Sequence, residues 1–162
     1  MAPILDVRNL QTHFFTKGGV LKAVDGVSFE IGAGEIVGLV GESGSGKSIT
    51  GFSILGLVDE PGRIVGGEIL FKGKDLKTLP VAEMQKMRGS SIAMIFQDPM
   101  MTLNPVLRIE TQMIEAIQTH DSSVSKDEAR QRSRDALGLV GISSPEERMR
   151  AYPHQFSGGM RQ

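Results

Sequence analysis

The first third of the chain alternates between apolar and polar positions. Ile4, Leu5, Val7 and Leu10 stand against Asp6, Arg8 and Asn9, which predicts a strand over 4–10. Lys17-Gly18-Gly19 predicts a turn, and Val20–Val24 a returning strand. Val27, Phe29 and Ile31 share one face of the next strand, closed by Gly32-Ala33-Gly34. Ile36–Val40 is then apolar except for Gly38, and so is Ile92–Phe96 throughout. Runs of that kind predict strands of a parallel sheet buried on both faces. Between them the pattern gives a helix near 50–57, a break at Asp59-Glu60-Pro61-Gly62, a short strand over 67–73 and a helix over 80–87 with Pro80 in its first turn.

After residue 98 the period changes. Asp98–Pro105 reads as a loop. Ile109, Met113, Ala116 and Ile117 fall at helical spacing, as do Ala129, Ala136, Leu137 and Val140. Ser125-Lys126-Asp127-Glu128 and Ser144-Pro145-Glu146-Glu147 each predict a capping box. The methionines of this region read as core filler. The pattern divides the chain into 1–97, antiparallel β with a nucleotide-binding core, and 98–162, helical.

The order apolar strand, glycine loop, helix gives the chemistry its context. Gly41-Glu42-Ser43-Gly44-Ser45-Gly46-Lys47-Ser48 is a full G-x-x-x-x-G-K-[ST] match between Ile36–Val40 and the helix that follows. Glycines let a backbone close around an anion, and loop N–H groups up to Ile49 point at phosphate oxygens from a helix N-terminus. Lys47 is the candidate for the β- and γ-phosphates and Ser48 for Mg²⁺, so ATP and Mg²⁺ are the expected cofactors.

Composition narrows the picture little. A length of 162 residues suits one domain, and a net charge of −1 gives no basic excess for nucleic acid. The chain has no cysteine, hence neither disulfides nor thiolate metal sites. No apolar stretch approaches the roughly 20 residues that span a bilayer. The N-terminus carries no basic region followed by a long apolar run. A soluble chain is expected, reaching a membrane only through partners.

Two later segments add specificity. Phe96-Gln97-Asp98-Pro99 follows the second apolar run, and Phe156-Ser157-Gly158-Gly159-Met160 lies close to residue 162. With the phosphate loop, in this order, the chain resembles the ATP-binding subunits of ABC transporters. Gln97 matches the family's Q-loop, and Phe156–Met160 its signature, usually Leu-Ser-Gly-Gly-Gln. Val24–Phe29, Phe96–Pro105 and Tyr152–Met160 further resemble the importers of dipeptides and oligopeptides, with nickel importers as near relatives. Met160 in place of glutamine is a departure those importers share.

The resemblance implies an α/β P-loop NTPase, a partial ABC ATPase core with an N-terminal antiparallel β subdomain and an α-helical signature subdomain. Its catalytic candidates are Lys47 and Gln97, and its metal candidates Ser48 and Gln97. A glutamine offers both a carbonyl and an amide, which suits contact with Mg²⁺ and water together. Ser157, Gly158 and Gly159 form a second anion cradle, directed in the family at the nucleotide of the opposite subunit. Adenine stacking is expected from Phe14, with Phe15 as its neighbour. Implied partners are a second ABC ATPase subunit, identical or different, membrane permease subunits met by the helices of 109–140, and indirectly an extracytoplasmic solute-binding protein. Nucleic acid is not among them. The implied location is peripheral, on the cytoplasmic face of the cell membrane.

The family pattern continues past the signature into a strand ending in a Mg²⁺-binding aspartate, a glutamate that activates water and a switch histidine. His13, His120 and His154 do not stand in that place. The chain therefore reads as an N-terminal portion that binds ATP and hydrolyses it negligibly. Its apolar sheet edges predict self-association.

Overall fold

The structure, a computed structural model, describes residues 2–98 and 102–162. The chain folds as two compact units, with the boundary between Ala93 and Met94. Of the loop expected over 98–105, Pro99, Met100 and Met101 lie outside the described residues.

In the first unit, β1 (Leu5–Thr16) and β2 (Gly19–Ile31) form one long hairpin, where the alternation suggested three shorter strands. Strand β3 (Gly62–Phe71) pairs with the other side of β1, and the two-residue β4 (Lys74–Asp75) closes an antiparallel sheet of order β2-β1-β3-β4. Irregular pairing permits the length. Between Val7 and Leu10 the register slips by one, at Asn9, whose φ is 46°. The bulge brings Val7 and Leu10, three apart, onto the same buried face. They meet Val24, Ile69, Phe71, Leu76 and Met84 in the core.

Helix α1 (Lys47–Leu55) lies against β1 and β2. It ends at Gly56, in the left-handed region at φ 61°. The carbonyls left over at its end are taken up by Arg88, whose Nε and Nη2 donate to Leu55 and Gly56 at 2.8 Å each. Arg88 follows directly on α2 (Val81–Met87), which begins one residue after Pro80.

The two apolar runs depart from expectation. Residues 36–40 form no strand; Ile36 is 98% and Val40 92% exposed. Residues 92–96 contribute a single parallel bridge, Arg88 to Ile92, and Ile95 is 82% exposed. A parallel strand needs neighbours that take up its N–H and C=O groups and layers that cover both faces. Among the described residues the four strands are antiparallel and pair with one another.

The second unit is helical. Helix α3 (Ile109–His120) packs on α4 (Lys126–Leu139) through Ile114, Ile117, Val124 and Ala129. Arg130 of α4 reaches Glu110 of α3 at 3.5 Å and Glu146 of α5 (Pro145–Met149) at 2.7 Å. Met149 is fully buried, as core filler should be.

Three local readings need correction. Ala136 and Val140 are exposed, because the cluster against α3 ends at Ala129. At Ser125 half of the capping box forms: its Oγ accepts from Glu128 N–H at 3.2 Å, while the Glu128 carboxylate pairs with Arg132. Ser144 caps with no side chain at all. Its left-handed backbone, φ 51°, presents the carbonyl, which accepts the N–H groups of Glu147 and Arg148.

Candidate functional site

The loop before α1 is closed by its own groups. Lys47 Nζ donates to the carbonyl oxygens of Gly41 at 2.8 Å and Glu42 at 2.7 Å, folding the ammonium back across Gly41–Ser45. The Ser45 N–H donates to Glu42 O at 3.2 Å. Gly44 and Gly46 hold φ of 81° and 91°, a region an L-residue enters at a cost. At Gly46 there is a second reason for glycine: a Cβ would collide with the Ala23 carbonyl of β2. The loop thus sits directly on the sheet.

Thr50 is the first residue of α1 to find an intrahelical acceptor, the Gly46 carbonyl, at 2.8 Å from its N–H. The N–H groups of Gly46, Lys47, Ser48 and Ile49 have no acceptor among the described residues. These are the free donors of a helix start, at the positive end of its dipole. Ser48 is exposed on this first turn. The donor set fits a polyanion: several N–H groups, one ammonium and one hydroxyl beside them.

Phe14 and Phe15, adjacent on β1, point to opposite faces. The Phe14 ring packs on Gly62, where a Cβ would lie 2.6 Å from Cε1. The Phe15 ring is covered by the Arg63 guanidinium at 4.1 Å.

Gln97 and Ser157–Gly159 belong to the second unit. Gln97 is exposed. Ser157 caps α6 (Gly158–Arg161), its Oγ accepting the Met160 N–H at 3.3 Å, so the serine-glycine pair does open a helix. Gln162 Nε2 donates to the Phe96 carbonyl at 3.1 Å, tying that helix to the residue before Gln97. Within the first unit, the loop, Lys47, Ser48 and Ile49 come together.

Sequence reading overlooked Thr50 and Ser53, both buried on α1. Thr50 Oγ1 donates to Gly46 O at 3.0 Å, and Ser53 Oγ to Ile49 O at 2.7 Å. Hydroxyls three apart among the apolar residues of 49–55 were the available signal.

A family model described as ABC transporter matches residues 24–162. The chain belongs to the ABC transporter family. Over 163 residues it is 50% identical to the oligopeptide transport ATP-binding protein AppD of Bacillus subtilis, covering 100% of the chain and 49% of that protein. It is 49% identical over 160 residues to a probable peptide ABC transporter ATP-binding protein, y4tR, of Sinorhizobium fredii, covering 98% of the chain and 48% of the relative. This ABC transporter chain thus spans about half the length of the curated relatives it matches. In three dimensions it is similar to the bacterial ABC transporter cassette MJ0796, solved as a dimer. The TM-score is 0.83 at 24% identity, over 97% of this chain and 65% of that one. That likeness supports the mixed α/β cassette fold. No helix among the described residues is long and apolar enough to cross a membrane.

Proposed function

We propose that this chain binds Mg·ATP through Gly41–Ser48, as the ATP-binding portion of an importer of dipeptides or oligopeptides. The observation that carries the reading is the set of N–H groups from Gly46 to Ile49 without a protein acceptor, beside the Lys47 ammonium. In this reading the loop amides hold the phosphates, and Lys47 exchanges its two carbonyls for phosphate oxygens. Ser48 and Gln97 hold Mg²⁺, and Phe14 stacks on adenine. Bound Mg²⁺ neutralises phosphate charge. Ser157, Gly158 and Gly159 serve the nucleotide of a second ATPase subunit, identical or different. The helices of 109–140 meet permease subunits at the cytoplasmic surface of the membrane, and a solute-binding protein acts through those subunits.

Peptides are favoured over nickel because the relatives cited above are named for peptide and oligopeptide transport. Taken alone, the 162-residue chain is a binding unit with negligible turnover in this reading. Positioned groups that act on the attacking water contribute orders of magnitude in rate, and the groups gathered at Gly41–Ile49 are ones that hold phosphate.

Equilibrium binding of MgATP to the chain and to its Lys47→Ala variant tests the site. Loss of a charge-assisted contact should weaken binding about 10–100-fold. Equal affinities would overturn the assignment. Phosphate release at saturating MgATP, at the rate of a full-length relative, would overturn the reading of negligible turnover.

A further inference from the structure

We infer that Thr12 and Ser53 are a positioning pair. They fix the helix of the phosphate loop against the strand that carries Phe14, and so set the spacing between nucleobase and triphosphate. The inference rests on the reading of Gly41–Ser48 as an ATP site.

Both side chains are buried, Thr12 at 0% and Ser53 at 2% exposure. Their hydroxyl oxygens lie 2.8 Å apart. A serine hydroxyl has one hydrogen to give, and that of Ser53 goes to the Ile49 carbonyl at 2.7 Å. Thr12 is therefore the donor of the pair. The resulting chain, Thr12 to Ser53 to Ile49, runs from β1 into the first turn of α1. It ends at a residue whose own N–H is one of the four without a protein acceptor.

Placement gives the pair its role. Past the bulge at Asn9 the further register shifts place their extra residues on β2 and β3 and none on β1, so Leu10, Thr12 and Phe14 share one face. The phosphate helix is thus bonded to the strand two residues from Phe14. An apolar contact at this point would tolerate sliding of helix over sheet. A directional bond in a low-dielectric interior does not. The ends of α1 are held separately, by Gly46 on the Ala23 carbonyl and by Arg88 on Leu55 and Gly56. The hydroxyl pair acts between them, where position along the strand is set.

ATP spans both subsites, whereas inorganic tripolyphosphate touches only the phosphate one. Thr12→Val keeps the shape and removes the donor. Ser53 still donates to Ile49, so the cradle itself remains. Equilibrium binding of MgATP and magnesium tripolyphosphate to the 162-residue chain separates the effects. Thr12→Val should weaken ATP about fivefold and tripolyphosphate less than about twofold, and Thr12→Ser should restore ATP. Thr12→Ala, which likewise removes the donor and leaves the Ser53–Ile49 bond in place, should reproduce the split and serves if Thr12→Val does not fold. Equal weakening of both ligands, or of neither, overturns the pair while leaving the site standing. ATP affinity indifferent to Lys47→Ala would overturn the site and the pair together.

Discussion

Residues 36–40 and residues 41–55 are neighbours in sequence and opposites in structure. The first are the more apolar and stand open to solvent without secondary structure. The second are rich in glycine and serine, yet they are closed by bonds within themselves: Lys47 to Gly41 and Glu42, Ser45 to Glu42, Thr50 to Gly46. A loop and helix satisfy their backbone groups over a few residues of chain. A parallel strand satisfies them only through other strands. Hydrophobicity states what a segment would bury, and the residues around it decide whether it can.

The comparison can be tested where it should hold hardest. Gly46 carries both a left-handed φ and a wall, so Gly46→Ala should cost about 2–4 kcal/mol in a denaturant melt. Gly44 has a similar φ and open space around it, and Gly44→Ala should cost only about 1 kcal/mol. Equal costs would mean that strain alone matters and that the loop does not rest on β2.

The two predicted caps give the next contrast. Ser125 uses its hydroxyl and Ser144 does not. Ser125→Ala should lose about 1 kcal/mol and Ser144→Ala almost nothing. A substantial loss at Ser144 would show that its carbonyl-based turn depends on the side chain.

In the exposed run the expected change in stability is smaller still. Ile36→Lys with Val40→Lys should shift the melt by no more than about 0.5 kcal/mol, as at other surface positions. The same variant should lower light scattering at high concentration, since an apolar patch is lost. A large loss of stability would mean that these side chains pack in solution.

The smallest effect concerns acid. Asp121 accepts the Ser123 hydroxyl and N–H, with Arg132 adding a weaker attraction, and its carboxyl is held below the usual range. A lowered folded value means a contribution present above the ordinary carboxylate range and lost as pH falls through the lowered one. Ser123→Ala should flatten that acid limb slightly in melts between about pH 5 and 2. An unchanged limb would remove Ser123 as the cause.

What could be read in advance follows the same division. The glycine loop, the start of α4 and the serine that opens α6 were legible because each depends on residues within a few positions; α1 was legible as a helix, but it spans Lys47–Leu55 where 50–57 was expected. The stripe Ala129–Val140 was half legible: helical spacing gave the helix, while its packing length was set by where the α3 cluster stops. Strand lengths were misjudged for a different reason. The register shifts in the hairpin break strict alternation, and a two-residue period then looks like three separate strands. Thr12 and Ser53 stayed hidden because the bond between them joins positions 41 apart in sequence.

The bulge at Asn9 has a consequence for the aromatic pair downstream. It absorbs one residue, and so chooses which half of the following strand turns inward. Strict alternation of the same residues without the bulge would exchange the two halves: Leu10, Thr12 and Phe14 would turn outward while Gln11, His13 and Phe15 took their places. A single residue remote from the glycine loop thereby selects which phenylalanine the inner side of the sheet presents.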